Sequence, residues 1–282
     1  MNRRNFLLSA PVGLLASTAY AFGFEPQWLE TTSASVALPG LDPGSSIHVL
    51  HLSDLHASAA VPWRLIERAT EIGLAARPDL VCLTGDFITD AQQVDASRYT
   101  RLLRRLSSSA PTLAVLGNHD GGPWVAQAIG GLSDTRAVRA LLHDGRIGLL
   151  HNRSVELTVK GQSIRIAGVG DFWNEDDNAA QAFADLRGDA PIVFLAHNPD
   201  MKDRAAAYPW NLMLCGHTHG GQVLIPGIGT RFVAVRDKRF ISGLKEWNGR
   251  RIYITRGVGS LAGVRINCRP EVTLLRLTGQ AA

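Results

Sequence analysis

Five separated fragments of this 282-residue chain carry side chains that bind borderline transition metals. They are Asp54-Leu55-His56, Gly85-Asp86, Gly117-Asn118-His119-Asp120, the lone His197, and Gly216-His217-Thr218-His219. Each fragment follows an apolar run that reads as a buried strand, at residues 47–52, 80–84, 112–116, 192–196 and 212–215. Taken singly, every fragment has an ordinary account. A lone histidine after a strand is more often a hydrogen-bonded structural residue; Asp54 suits a helix cap, and Asp86 and Asn118 suit turns. All of those accounts would have to hold together at five strand ends, and that coincidence argues for a metal-dependent enzyme.

The elements that position these residues follow from the pattern of apolar residues. Strands are expected at 47–53, 80–85 and 112–117, with helices at 61–76, 94–107 and 133–143 between and after them. A hairpin follows at 154–159 and 164–169, turning at Lys160-Gly161-Gln162; then a helix at 178–186 and strands at 191–196 and 212–215. The tail holds strand-like runs at 222–225, 251–255 and 272–277. Alternating buried strands and helices predict an α/β chain in which two mixed β-sheets pack as a sandwich flanked by helices. In such sheets ligands gather beyond the carboxyl ends of the strands, where all five fragments fall.

Hydrophobic residues make up 45% of the chain and charged residues 19%, which suits a folded domain with a substantial core. The formal charge of +4 includes Arg3 and Arg4; without them 27 basic face 25 acidic side chains, so no nucleic-acid surface is expected. Cys82 and Cys215 fall within apolar runs and Cys268 in a polar stretch, so all three are read as reduced, with Cys268 a candidate free thiol.

The N-terminus reads as an address. A basic start, an uncharged stretch from Phe6 to Phe24 and the Ala19-Tyr20-Ala21 pattern predict a signal peptide over residues 1–21. Arg3-Arg4-Asn5-Phe6-Leu7 resembles the twin-arginine export signal, with Asn2 and Leu8 departing from it. The alternative is an uncleaved anchor over residues 6–24, diluted by Ser9, Pro11, Gly13, Ser17 and Thr18. The expectation is an exported periplasmic or cell-envelope protein that partners the twin-arginine machinery and touches membrane only through an uncleaved N-terminus. Residues 22–46 are then an N-terminal extension and 47–282 one domain.

The order D-x-H, G-D, G-N-H-D, H, G-H-x-H resembles the calcineurin-like metallophosphoesterases over residues 47–277, with no position missing. Ala196-His197-Asn198-Pro199-Asp200, Gly216–Gly221 with Gln222-Val223, Arg256-Gly257-Val258-Gly259 and Pro270-Glu271-Val272 resemble the family's exported bacterial branch. The resemblance implies one divalent metal held by Asp54, His56, Asp86 and His219, and a second held by Asp86, Asn118, His197 and His217, with Asp86 bridging. Nitrogen and oxygen donors without thiolate suit Mn, Fe or Zn better than Ca or Mg. It further implies phosphoester hydrolysis by a hydroxide the metals share, with diesters preferred. His119 would serve the leaving group as general acid or charge stabiliser, and Asp120 would orient His119. The implied substrate is a cell-envelope or phospholipid-derived phosphoester. Two alternatives stand beside this: cleavage of a nucleotide-sugar lipid pyrophosphate of the UDP-2,3-diacylglucosamine kind, and a non-catalytic metal-binding scaffold.

The remaining candidates have plainer readings. His48, His51, His143 and His151 are taken as structural, His51 being closest to Asp54. Gly121-Gly122 and Gly220-Gly221 are expected to allow close backbone approach to the site. Trp124, Phe172 and Trp173 are read as core aromatics, with a substrate pocket as the alternative.

Overall fold

The apolar runs that precede the metal-binding fragments become strands covered on both faces. The computed structural model describes residues 17–89, 94–230 and 233–280. In chain order the strands are β1 Glu30–Leu38, β2 Ser46–Leu52, β3 Leu80–Thr84, β4 Thr112–Val115, β5 Gly148–Leu149 and β6 Arg153–Val159. They continue as β7 Gln162–Gly168, β8 Ile192–Leu195, β9 Leu212–Cys215, β10 Gly243–Trp247, β11 Arg250–Ile254 and β12 Glu271–Gly279. One sheet runs β1-β12-β2-β3-β4-β5 and the other β10-β11-β9-β8-β7-β6. Both are mixed: β2 to β5 are parallel, as are β7, β8, β9 and β11, while β12–β2, β6–β7 and β10–β11 pair antiparallel.

Side-chain alternation explains how continuous apolar strands fit this arrangement. Ile47 and Val49 of β2, with Leu80 and Cys82 of β3, meet Val193, Leu195, Leu212 and Leu214 of the facing sheet. Their neighbours Leu50, Leu52, Val81 and Leu83 point the other way, onto helices α1 (Trp63–Ala75) and α2 (Ala96–Ser109). Across the second sheet, Ile192, Phe194 and Met213 pack outward against α5 (Ala179–Phe183) and α6 (Met201–Arg204). Strands with period-two side chains and no exposed face are necessarily apolar throughout. Asp95 caps α2 by accepting the Arg98 amide at 2.9 Å, and Asn178 caps α5 on the Gln181 amide. The sandwich of two mixed sheets between helices is the expected architecture.

Three local expectations need correction. Residues 22–46 are not an extension, since β1 lies within them and pairs in parallel with β12 along its whole length. Residues 222–225 join neither sheet; Val223 and Ile225 make only isolated bridges, to Ile266 and Gly229. Helices α3 (Pro123–Ile129) and α4 (Arg136–Asp144) fill the crossover after β4, where the sequence predicts one helix. Most of the expected signal lies outside the described residues. Its expected cleavage residue, Ala21, is buried and accepts the Arg265 amide at 2.9 Å. Among the described residues no helix is long and apolar enough to cross a membrane.

Candidate active site

Each fragment leaves its strand through a sharp turn that throws side chains into one cleft. Asp54, His56, Asp86, His217 and His219 all have positive φ, between 47° and 69°. Non-glycine residues avoid that region, at a cost of about 1 kcal/mol or more each. The turns persist because neighbouring turns bond them: Asp54 N donates to Gly85 O, His56 N to Asp86 O, and Gly216 N to His197 O, at 2.9–3.0 Å. Glycines give the remaining clearance. A Cβ on Gly216 would stand 2.0 Å from Ser53 Oγ, and one on Gly257 2.6 Å from Asp54 Cβ.

The expected ligands converge. His56 Nε2 lies 3.1 Å from His219 Nε2 and 3.4 Å from Asp86 Oδ2, and His219 Nε2 lies 3.4 Å from Asp54 Oδ1. His197 Nε2 lies 3.2 Å from both Asp86 Oδ2 and His217 Nδ1. Donors on a common metal at about 2.0–2.2 Å stand about 3.0–3.5 Å from one another, so the separations fit. The two compact donor groups are Asp54, His56, His219 and Asp54, Asp86, His197. Asp54 is common to both, so it shares the central position that the resemblance gives to Asp86 alone. Asn118 Oδ1 is buried with no hydrogen-bond partner, an acceptor that a cation would satisfy.

Second contacts fix the imidazoles. His197 Nδ1 donates to Thr84 O at 2.6 Å, and His56 Nδ1 pairs with Thr89 Oγ1 at 2.6 Å. Each leaves Nε2 aimed into the cleft. Burial pushes the pKa of His56 and of His217 down to about 3, so both are neutral at pH 7, the form that donates a lone pair. Burial also raises Asp54 to about 6. Asp86 and His197 hold each other ionised: against the pull of burial, Asp86 lies well below the usual carboxylate range and His197 rises to about 10. Asp86 and His197 could hold a cation in place of the His197 proton.

Asp120 does not orient His119. Its two oxygens accept the amides of Asp86 at 2.9 Å, Phe87 at 2.7 Å and Gly117 at 2.8 Å, tying the β3 and β4 turns together. His119 Nδ1 has no hydrogen-bond partner; the ring stands edge-on to His56 and to Trp124. Its amide donates to Asp86 Oδ1 at 2.9 Å, which carries the ring to the cleft wall.

Above the donors opens a cavity of about 590 Å³ lined by Asn118, His119, His217 and the aromatic pair Trp124–Trp173. The two indoles touch at 4.5 Å between ring centroids, and Trp173 stands perpendicular to His217. Trp124 and Trp173 therefore line the pocket, Trp173 also packing against the core outside the second sheet; Phe172 is buried beneath the Arg204 guanidinium. Asn174 Oδ1 accepts the Trp124 amide, and Asp171 Oδ1 holds the Trp173 and Asn174 amides. A second cavity of about 440 Å³ is also lined by both indoles and reaches Arg204 and Arg236.

His51 stays in the sheet, bonded through Nε2 to Thr84 Oγ1 at 2.8 Å, and His48 and His143 are on the surface. His151, half-buried, faces Asp176. Gly121 and Gly122 press on Asp134 and Asn174, and Gly220 on Arg256 and Cys268, so their clearance serves neighbouring loops. Cys268 is buried, its thiol donating to His219 O at 3.1 Å. Arg265 carries no signal in the sequence. Fully buried, it donates to the carbonyls of Arg256, Gly257, Gly259 and Cys268 at 2.5–3.2 Å, behind the His219 turn.

Comparison with known proteins gives the same chemistry. Residues 47–221 match the model of the family described as calcineurin-like phosphoesterase. The chain is 36% identical over 279 residues to phosphodiesterase YaeI of Escherichia coli K12, covering 98% of this chain and 99% of that one. It is 25% identical to the UDP-2,3-diacylglucosamine pyrophosphatase LpxG of Chlamydia trachomatis, over 96% of this chain and 94% of that one. The metallophosphoesterase YkuE of Bacillus subtilis is 27% identical, with 98% of both chains covered.

Proposed function

The chain belongs to the calcineurin-like phosphoesterase family, and from that premise we propose that it is a two-metal phosphodiesterase working outside the cytoplasm. The observation that carries the reading is the buried nitrogen and oxygen donor set at the floor of an open cavity, with His119 on its wall. Asp54, His56, Asp86 and His219 would hold one divalent ion; Asp86, Asn118, His197 and His217, with Asp54 alongside, would hold the other. When bound, such ions neutralise phosphate oxygens and make water nucleophilic at neutral pH, and the donors suit Mn, Fe or Zn.

The chain's own residues do the rest. Trp124 and Trp173 exclude water from the wall beside His119 and His217. As water adds to phosphorus and the opposite P–O bond breaks, His119 would pass a proton to the leaving oxygen, and the proton released by the attacking water would restore it. Help of this kind is worth about 10²–10⁴-fold. Asp120 keeps the β3 and β4 turns in register so that Asp86, Asn118 and His119 face one point.

Diester preference has two supports. A diester carries two substituents, and two cavities share the Trp124–Trp173 wall. The similar YaeI is named a phosphodiesterase. Bis-p-nitrophenyl phosphate and p-nitrophenyl phosphate, assayed with Mn²⁺, test this. The diester is expected to react faster, and His119→Ala to lose about 10²–10⁴-fold; faster monoester hydrolysis overturns the preference. The likeness to LpxG favours a second reading, cleavage of a nucleotide-sugar lipid pyrophosphate. Hydrolysis of that substrate far ahead of simple diesters would establish it. Export rests on Arg3-Arg4 and the uncharged stretch after them. Recovery of the native protein with Met1 in the soluble cytoplasmic fraction would refute it.

A further inference from the structure

Nine large apolar side chains are exposed among the described residues, and seven of them fall on three hydrogen-bonded segments, two of which border the cavity. Phe22, Phe24 and Trp28 are 45–55% exposed on the segment before β1, where Phe24 stacks between Tyr20 and Trp28 at ring distances of 5.8 and 5.3 Å. Ile225 and Ile228, 46% and 55% exposed, stand on the loop after the His219 turn, and Leu261 lines the cavity itself. Hydrogen bonds join these segments. Gln222 Nε2 donates to Leu261 O at 2.9 Å, Leu224 N to Ile266 O at 2.9 Å, and Arg265 N to Ala21 O at 2.9 Å. Asn267 N closes the set on the buried Glu25 carboxylate at 2.9 Å.

Large apolar side chains grouped on adjoining exposed segments mark a surface that contacts a partner or a membrane. Its occupant follows from what borders it. The chain that leads into it, from Phe6 to Phe24, is uncharged and preceded by Arg3 and Arg4. Arg269 lies over the Trp28 ring at 4.0 Å, and Arg64 holds Gln27 through its guanidinium, so basic groups flank the aromatics. Glu30 at the same border is spent on Arg256 at 2.8 Å. Aromatic rings with adjacent arginines match the boundary between lipid headgroups and acyl chains.

We infer that this face lies on a lipid bilayer through Phe22, Phe24, Trp28, Ile225 and Ile228, with the cavity mouth turned toward the headgroup phosphates. This differs from attachment by the leader alone, because residues about 200 positions downstream enter the interface. It also goes beyond the expectation that membrane contact runs only through an uncleaved N-terminus.

The test uses the full chain with Ile228→Cys carrying an environment-sensitive fluorophore; Cys82, Cys215 and Cys268 are buried, so labelling is selective. Arg153→Cys on the exposed end of β6 is the comparison. Vesicles of phosphatidylcholine and phosphatidylglycerol should shift the label at 228 to shorter wavelength and leave the label at 153 unmoved. Phe24→Ser with Trp28→Ser should weaken vesicle partition by at least about tenfold, while hydrolysis of a soluble diester is unchanged. A label at 228 that stays in water on bound protein shows attachment by the leader alone and overturns the inference. So does a shift without vesicles that grows with protein concentration, which marks a second copy of the chain as the occupant. Neither readout needs catalysis, so failure of the diesterase reading leaves it standing.

Discussion

Arg265→Met should destabilise the protein severely and loosen the metal site without replacing a ligand. The guanidinium is fully buried and, among the described residues, has no carboxylate within ion-pairing distance. Its charge is dispersed over backbone carbonyls of the 256–259 and 265–268 loops. Gly257 O keeps a bond from the Glu271 amide, but the Arg256, Gly259 and Cys268 carbonyls would be left without that donor. A buried acceptor stranded in this way costs about 1–3 kcal/mol, and relief from desolvating the guanidinium returns part of it. The net expectation is about 3–5 kcal/mol, or a fall in Tm of about 6–20 °C for a chain near this size. Arg265→Lys should recover part of it, since three donors cannot span four carbonyls. Because Gly257 presses on Asp54 and Cys268 on the His219 turn, the Mn²⁺ needed for half-maximal activity should rise in parallel. Thermal unfolding and Mn²⁺ titration check both effects. A loss below about 1 kcal/mol would refute the account of Arg265 as a clamp.

Three further outcomes follow from the geometry. Gly216→Ala forces a Cβ to within 2.1 Å of Asp54 Oδ2, so kcat/KM should fall about 10²-fold with the circular dichroism spectrum unchanged; a loss under about threefold would show that the turn yields at little cost. Asp120→Asn leaves one oxygen for three amides and should cost about 2–4 kcal/mol in urea unfolding, whereas an activity loss at unchanged stability would return Asp120 to orienting His119. His51 is held near pKa 4 by burial, below its unfolded value of about 6.5, so its stabilisation is complete above about pH 6.5 and lost as pH falls toward 4. That amounts to about 2 kcal/mol between pH 7.5 and 5, and His51→Gln should lose this slope; an identical slope in the variant would sink the assignment.

The donors are legible in the sequence because coordination chemistry restricts residue type: only imidazole, carboxylate and amide oxygen serve, and strand ends are marked by the apolar runs before them. Arg265 is not legible for the converse reason. Its partners are backbone carbonyls, which every residue has, so a buried arginine within Arg-Ile-Asn-Cys-Arg looks like any surface cation. Asp120 misleads through its position beside His119; three amides compete for its oxygens, two of them from the β3 turn over 30 residues away. Strand β1 reads Glu-Thr-Thr-Ser-Ala-Ser-Val-Ala-Leu, polar on its exposed face, and only its pairing with β12 makes it an edge strand. Trp124 and Trp173 are apolar whichever side they face. Their role is set by Asp171 and Asn174, which bond the amides of the turns that carry them.

What the sequence hides in each case is a contact between distant segments, and such contacts also decide how the site works. Asp54, His56, Asp86 and Asn118 come from the first sheet; His197, His217 and His219 come from the second. Neither sheet alone can assemble the donor groups. Their relative position is fixed by the inter-sheet core, where Ile47 and Val49 meet Val193 and Leu195, and by glycine contacts across the seam. A Cβ on Gly216 of the second sheet would strike Ser53 and Asp54 of the first, so the sheets cannot slide without displacing a ligand. Five donor residues at positive φ add local strain that only this surrounding packing sustains. The cleft is therefore shaped by the fold before any ion arrives. Residues that hold the seam, such as Arg265 and Gly216, and Asp120, which joins two donor turns within the first sheet, should then govern metal affinity as strongly as they govern stability.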